Sequence, residues 1–218
     1  VMVPFFGVLA SIAILMLRQG GRPFNDSHAG LRAAGTVGLV ALTLFYLTRA
    51  FWAPYWIPAE SMKPTLMVGD YLIVRHQSVD ALTRGDVVVF RHPVNGVPMI
   101  KRLIGLPGDR VACCTEGQAL TVNGVALTEP YLKPGDVPST LTFDITVPEG
   151  QVWVMGDHRS DSEDSRFHDP SGTGADGAVP VDDITGRAVA VVWPLDRAGW
   201  LSHDASTFSS VPDAASTP

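Results

Sequence analysis

Long apolar stretches occur only before residue 60, and only short ones follow. Residues 1–17 carry no charge, and residues 33–47 are almost free of charge. Each stretch approaches the ~17–25 residues that a membrane-spanning helix needs. The pattern predicts two transmembrane helices, at 1–17 and 33–51. A cleavable secretory signal is the alternative for 1–17, but no basic segment precedes it and no small-residue cleavage site closes it cleanly.

The connector between these two stretches, residues 18–32, is basic. It holds Arg18, Arg22 and Arg32 against the single acid Asp26. Because positively charged short loops stay in the cytoplasm, we expect this loop to be cytoplasmic and everything beyond the second helix to be extracytoplasmic.

Aromatic residues crowd the end of the second stretch, at Phe51, Trp52, Tyr55 and Trp56. Such rings are typical of a membrane interface. The same rings could instead begin the core of the next domain, so both interpretations stay open.

From about Ile57 the pattern changes to short β-branched runs separated by Gly, Pro, Asn and Asp. This spacing predicts a mostly β domain at 52–200, built as an antiparallel sheet or barrel. Asn123-Gly124 lies between two runs and predicts a tight hairpin. The runs are Tyr71–Val74, Asp86–Phe90, Met99–Ile104, Leu120–Val122, Phe143–Val147, Gln151–Met155 and Ala188–Trp193.

Two further segments are polar or made of small residues. Residues 168–178 (HDPSGTGADGA) are predicted to form a glycine-rich loop. Their GxGxxG match at 172–177 lacks the flanking strand and helix of a dinucleotide site. Residues 201–218 are too poor in large apolar groups to pack, and we expect a disordered tail.

Composition excludes several classes of partner and cofactor. Among 218 residues, 46% are hydrophobic and the formal charge is −6, so no broad basic surface is available for nucleic acid. The only cysteines are the neighbours Cys113 and Cys114, which fit no zinc ligand set. Acids at 157, 161, 163 and 164 lack the spacing of a calcium loop. We predict no cofactor and no metal.

Ser61 and Lys101 are two residues that could take part in covalent chemistry. A serine hydroxyl is a weak nucleophile until a base removes its proton, and a lysine can serve if an apolar setting lowers its pKa. Ser61 lies in a constrained loop before Pro64, and Lys101 lies in an apolar run. Taken alone, each would more commonly be a solvated surface residue.

Four segments resemble, in order and spacing, the conserved boxes of type I signal peptidases. They are 57–66 (IPAESMKPTL), 84–90 (RGDVVVF), 101–109 (KRLIGLPGD) and 156–166 (GDHRSDSEDSR), and the resemblance extends to about Pro194. It implies a membrane-bound serine endopeptidase that removes signal peptides from exported preproteins after an Ala-x-Ala-like site.

The resemblance also implies a role for individual residues. Ser61 would be the nucleophile and Lys101 the general base. Ser162 would hydrogen-bond the lysine amine, while Asp164 and Arg166 pair to support its loop. The 168–178 loop stands as an insertion relative to the family.

A substrate groove is implied as well, and an extended substrate would add to it as a strand. Plain core packing is the alternative for its apolar residues. Ala59 departs from many members, which carry there a serine that donates to the oxyanion, so the Ser61 N–H is the one donor we can name. The matching groove positions are Tyr55, Ile57, Pro58, Met62, Leu66, Met99 and Ile100.

By resemblance, the enzyme is a multi-pass protein of the bacterial cell membrane. Its partners would be preprotein signal peptides, the lipid bilayer and the secretion translocon. Three alternatives stay open: a Ser/Lys peptidase with a dedicated substrate or self-cleavage, a non-enzymatic β-module that binds exported proteins, and a Ser-His-Asp triad. The last would use His158 and Asp157, although we interpret His158 as loop structure.

Overall fold

The computed structural model describes residues 29–76, 81–114, 119–201 and 204–214. The helix expected at 1–17 and most of the loop expected at 18–32 lie outside these ranges. The contacts of the chain divide it into two units, residues 1–48 and 49–218. The second unit holds all four segments that carry candidate chemistry.

Helix α1 runs from Ala29 to Phe51, so it begins within the predicted loop and covers the predicted second span. By length and hydropathy, none of the helices in the described ranges qualifies as a membrane crossing. The structure thus confirms a helix over the predicted range 33–51.

The second unit consists of two antiparallel sheets, as the mostly β prediction requires. In the larger sheet the described strands run in the order β1-β2-β11-β3-β4-β9-β10, with β12 beside β11, and in the smaller β7-β6-β5-β8. The strands are β1 Trp52–Trp56, β2 Tyr71–Arg75, β3 Val87–Arg91, β4 Pro98–Gly105, β5 Arg110–Cys113, β6 Thr121–Val122, β7 Val125–Ala126, β8 Phe143–Thr146, β9 Gln151–Met155, β10 Val179–Pro180, β11 Ile184–Trp193 and β12 Gly199–Trp200.

The centre of the larger sheet is buried on both faces. Side chains alternate along a strand, so Val87 and Val89 of β3 enter one apolar cluster while Val88 and Phe90 enter another. Strand β4 pairs with β3, and its residues from Lys101 onward are buried in the same interior. This burial determines the environment of Lys101.

The hairpin predicted at Asn123-Gly124 is confirmed. It joins β6 to β7, with Val122 opposite Val125. Asn123 and Gly124 have φ values of 51° and 81°, and two successive positive φ values are what the two-residue type I′ turn demands.

The smaller sheet packs on a core of its own. Trp153 of β9 packs there with Val111 of β5 and Ile145 of β8. Cys113 is buried in the same cluster and forms a disulfide with its neighbour Cys114.

The expectation of an unpacked tail is corrected for its described residues. A short helix, α2, spans Ala205–Phe208, and Phe208 and Val211 are buried in the core of the smaller sheet. The Pro212 carbonyl accepts a hydrogen bond of 2.9 Å from Asn123 Nδ2. The average composition of the tail did not reveal Phe208 and Val211, whose side chains pack into the core of the smaller sheet.

Candidate active site

Ser61 lies in the loop between β1 and β2 and is half-buried. The two apolar residues Met62 and Leu66 fix this loop, since both are fully buried and the Leu66 N–H donates to the Met62 carbonyl at 2.9 Å. Within the described residues, the Ser61 N–H has no hydrogen-bond partner. The loop therefore presents both the hydroxyl and the amide of Ser61 to a ligand.

Lys101 lies in β4 opposite Val88 of β3 and is 3% exposed. Its Nζ donates to Ser61 Oγ over 2.7 Å. Burial lowers the pKa of Lys101 to about 8, against the opposing attraction of Asp164, because loss of solvent disfavours the ammonium form. Lysine and serine are thus in direct contact, and the pKa of the amine is well below that of a solvated lysine.

Asp164 organises the loop that follows β9. Its carboxylate accepts hydrogen bonds from the Gly156 N–H (2.9 Å), from Ser162 Oγ (2.7 Å) and from two nitrogens of Arg166 (both 2.8 Å). Burial alone would raise the pKa of Asp164, but these donors, chiefly Arg166, lower it below its ordinary value. Asp164 and Arg166 pair as predicted, with both side chains fully buried.

Ser162 has a different hydrogen-bond partner from the predicted one. We expected its hydroxyl to bond the Lys101 amine, yet it donates to Asp164. A buried carboxylate is a stronger acceptor than a neutral group, so the hydroxyl donates its hydrogen bond to the carboxylate. Ser162 is buried in the loop that follows β9.

Gly156 packs tightly between the loop that follows β9 and the loop that carries Ser61. A Cβ atom there would lie 2.2 Å from Ser162 Oγ and 2.5 Å from the Ser61 carbonyl oxygen. The His158 N–H donates to that same Ser61 carbonyl at 3.1 Å. The backbone at 156–158 therefore fixes the position of the nucleophile loop, and a glycine is required there.

A buried arginine links the same loops from the other side. Arg102 binds both oxygens of Asp157 at 2.8 and 2.6 Å, and Thr65 of the Ser61 loop donates to Asp157 at 2.5 Å. The sequence suggested a role only for Asp157, in the alternative Ser-His-Asp triad, and none for Arg102 or Thr65. Arg102 and Asp157 lie inside the segments that resemble the family. Because charged residues are usually exposed, the sequence alone could not show that these two are buried.

The predicted groove residues divide by burial. Tyr55 and Ile100 are half-buried against the cluster that contains the residues beside Ser61, while Met99 packs on the other cluster. Pro58 is exposed. Core packing, the alternative that the sequence left open, describes the fully or almost fully buried members Ile57, Met62 and Leu66.

One group near the nucleophile has the composition of a cation site. Ligand atoms of Glu60, His158 and Asp161 lie within 4.8 Å of one another. Lysines already occupy it, because Lys63 Nζ is 2.6 Å from Glu60 and Lys133 Nζ is 2.7 Å from His158 Nε2. A bound metal ion would have to compete with the Lys63 ammonium group for the Glu60 carboxylate.

The chain is similar in sequence to proteins of a known family. The family model described as signal peptidase, peptidase S26, matches residues 31–193. The chain belongs to this family. Signal peptidase I of Mycobacterium tuberculosis H37Rv is 35% identical over 81% of this chain and 77% of its own length. Signal peptidase I P of Bacillus subtilis subsp. natto is 39% identical over 73% of this chain and 87% of its own.

Similarity extends to a solved structure. A signal peptidase I from Enterococcus faecalis V583 is 32% identical and covers 50% of this chain and 98% of its own, with a TM-score of 0.40. Family membership rests on the sequence matches, and it makes the chain a serine endopeptidase. The matched range contains every candidate catalytic residue named above.

Proposed function

We propose that this chain removes signal peptides from exported preproteins, with Ser61 as nucleophile and Lys101 as general base. The single observation that supports this most strongly is the 2.7 Å contact between Lys101 Nζ and Ser61 Oγ in an almost fully buried position. A solvated lysine would stay protonated at neutral pH and could not act as a base. Burial lowers the pKa of Lys101 to about 8, which leaves part of the amine in the neutral form that a base requires.

In the proposed reaction, the neutral Lys101 amine takes the Ser61 hydroxyl proton as Oγ attacks the scissile carbonyl. The resulting ammonium then gives its proton to the leaving amine, and an acyl-enzyme forms that water hydrolyses with the same base. The Ser61 N–H, which has no hydrogen-bond partner among the described residues, is the donor available to the oxyanion. Ala59 supplies no hydroxyl, so a second donor would come from the backbone or from water.

Ser162 would act on the dyad through its surroundings. Its hydroxyl donates to Asp164, which Arg166 fixes in place. The Asp164 carboxylate in turn is the largest electrostatic attraction that favours the ammonium form of Lys101. We assign these three residues the task of positioning the base and setting its pKa.

Strand β4 offers an edge for an extended substrate. Pro98 to Lys101 pair with β3 on one side, but pairing with β9 on the other side begins only at Arg102. A signal-peptide segment could add to this free edge beside Ser61, where main-chain hydrogen bonds give affinity and neighbouring side chains limit size. Half-buried Tyr55, Met99 and Ile100 would then line the site for small residues.

We place the reaction at the extracytoplasmic face of the cell membrane, close to the secretion translocon. Several large rings of the second unit are exposed, and Trp56, Tyr71 and Trp193 lie side by side across β1, β2 and β11. Exposed tryptophans and tyrosines are typical of surfaces that contact the lipid interface. A peptidase at that surface would meet signal peptides as they leave the bilayer.

A preprotein cleavage assay tests the proposed function. We expect the purified chain to cut a model preprotein once, after Ala-x-Ala, and to leave uncut a matched substrate with tryptophan at the last position before the cut. Ser61→Ala should abolish both cleavage and labelling by a serine-acylating penem. Labelling of Ser61 without cleavage would favour a dedicated substrate, and the absence of both would favour a binding module.

Activity should follow the titration of Lys101. The pKa is lowered to about 8 and the neutral amine is the active form, so kcat/KM should rise with pH through about 8 and level off above it. Roughly a tenth of the amines are neutral at pH 7 under this pKa. Rates measured from pH 6 to 10 check this, and a profile that is flat across this range would exclude Lys101 as the base.

A further inference from the structure

The C-terminal segment reaches the groups that support the nucleophile loop. The family model matches residues 31–193, and Asp204 lies beyond that range. Phe208 and Val211 fix the segment in the core of the smaller sheet. A Cβ atom at Gly85 would lie 3.3 Å from three backbone atoms of Asp204. The backbone of Asp204 is therefore packed against the loop before β3.

Asp204 completes the hydrogen bonding of the buried Arg102 guanidinium. A guanidinium has five N–H donors. Four of them bind acceptors within the family match: two bind the Asp157 carboxylate, one the Gly85 carbonyl at 2.8 Å and one the Thr65 hydroxyl at 3.3 Å. The fifth donor binds Asp204, whose Oδ2 accepts from Arg102 Nη1 at 3.2 Å.

The carboxylate of Asp204 binds this arginine and does not cap a helix. An aspartate directly before a helix commonly accepts a hydrogen bond from the backbone of the first turn. Asp204 directly precedes α2, but within the described residues its side chain makes no such bond. The side chains of Arg102 and Asp204 are 1% and 23% exposed, so water screens this pair much less than an exposed one.

Arg102 is connected to the loop of Ser61 by two routes. Thr65 belongs to that loop, and its hydroxyl donates to Asp157 at 2.5 Å. Asp157 also precedes His158, whose N–H donates to the Ser61 carbonyl at 3.1 Å. Arg102 binds Thr65 and Asp157 directly, so a change in its position would reach the nucleophile from two sides.

We propose that Asp204 is a positioning residue, which holds Arg102 and through it the loop that presents Ser61. This inference rests on the proposed role of Ser61 as nucleophile. A displacement of reacting groups by about 1 Å can cost about 100-fold in rate. Arg102 and Asp204 also border a cavity of about 260 Å³, where water could take the place of a lost carboxylate. We therefore expect a smaller loss, of about tenfold.

Acylation of Ser61 by a serine-reactive penem, measured on the full chain, tests this proposal. Asp204→Ala should lower the maximal acylation rate constant about tenfold. Asp204→Asn should give an intermediate value, because its amide oxygen can still accept a hydrogen bond from Arg102 but carries no charge. The pH profile should keep its midpoint, since Asp204 is not among the charges that act most strongly on the pKa of Lys101.

These measurements distinguish positioning from a purely structural role. If Asp204 only stabilised the fold, Asp204→Ala would lower the midpoint of thermal unfolding and the number of labelled molecules. The rate constant of each folded molecule would stay at the wild-type value. Asp204→Asn, which keeps the shape of the side chain, provides the measurement if Asp204→Ala does not fold.

Asp213→Ala is the matched control. Asp213 belongs to the same segment, but its carboxylate lies 3.7 Å from Arg84 and its side chain is 99% exposed. Its loss should leave the acylation rate unchanged. A double-mutant cycle of Asp204→Ala with Thr65→Val tests the route, because residues of one hydrogen-bond network have non-additive effects. The combined loss should be smaller than the product of the two single losses.

The proposal is overturned if Asp204→Ala and Asp204→Asn acylate at the wild-type rate, or if Asp213→Ala loses as much as Asp204→Ala. It is also overturned if the losses of Asp204→Ala and Thr65→Val simply multiply. A wild-type chain that the penem does not label would instead contradict the proposed role of Ser61 itself.

Discussion

Lys101→Met should lower kcat/KM for preprotein cleavage at pH 8 by about 10⁴-fold or more, because single catalytic groups of serine peptidases are worth this much. Methionine keeps an unbranched apolar side chain of nearly the same length and lacks the amine. The side chain of Lys101 is almost fully buried and lies opposite Val88 of β3, so an apolar replacement should let the variant fold. Single-turnover cleavage together with thermal unfolding separates chemistry from stability.

Lys63→Met is the control for that experiment. Lys63 lies two residues from Ser61, but its amine pairs with exposed Glu60, and such pairs contribute little. We expect it to retain most of the cleavage activity. If Lys101→Met kept activity within tenfold of the wild type while folding normally, the base would have to be another group.

Arg166→Ala should destabilise the folded state by about 3–5 kcal/mol, because it leaves the carboxylate of Asp164 buried without its charged partner. Both side chains are fully buried. For a domain of this size the loss corresponds to a fall of roughly 10 °C in the midpoint of thermal unfolding. Cleavage should fall as well at temperatures where the variant is folded, since Asp164 also holds Gly156 and Ser162.

Arg110→Ala is the matched comparison. Arg110 binds Asp144 through two nitrogens, yet their side chains are 66% and 52% exposed, and an exposed pair is worth ~0–1 kcal/mol. Urea unfolding of both variants measures the difference. Equal losses for Arg166→Ala and Arg110→Ala would mean that burial does not determine the strength of these pairs.

The hydrophobic pattern predicted the strands that contain several apolar residues. It missed strands that are short or contain few apolar residues. The run at 87–90 is continuous because both faces of β3 are buried. β1 contains Pro54 and three aromatic residues. Aromatic residues are also typical of the end of a membrane-spanning helix, so the sequence did not distinguish a strand from that end. β10 and β12 are two residues long, which is too short for any period to be visible.

Candidate chemistry could be predicted from the sequence only through the resemblance. Lys101 follows apolar residues in a strand, but alternation permits either face, and the strand pairing of β4 decides that it enters the interior. The partner of Ser162 depends on which acceptor is nearest in space, and spacing along the chain does not give this. Arg102 and Asp157 needed the same long-range information.

The place of β11 in the larger sheet has a consequence for synthesis on the ribosome. β11, residues 184–193, lies between β2 and β3, which precede it by about a hundred residues. Until it emerges from the exit tunnel, β2 and β3 both lack a neighbour on that side. Pairings of such long sequence separation form late and slowly. A nascent chain that already contains Ser61, Lys101 and Ser162 should therefore still be an incomplete enzyme, with two apolar edges for a chaperone to protect.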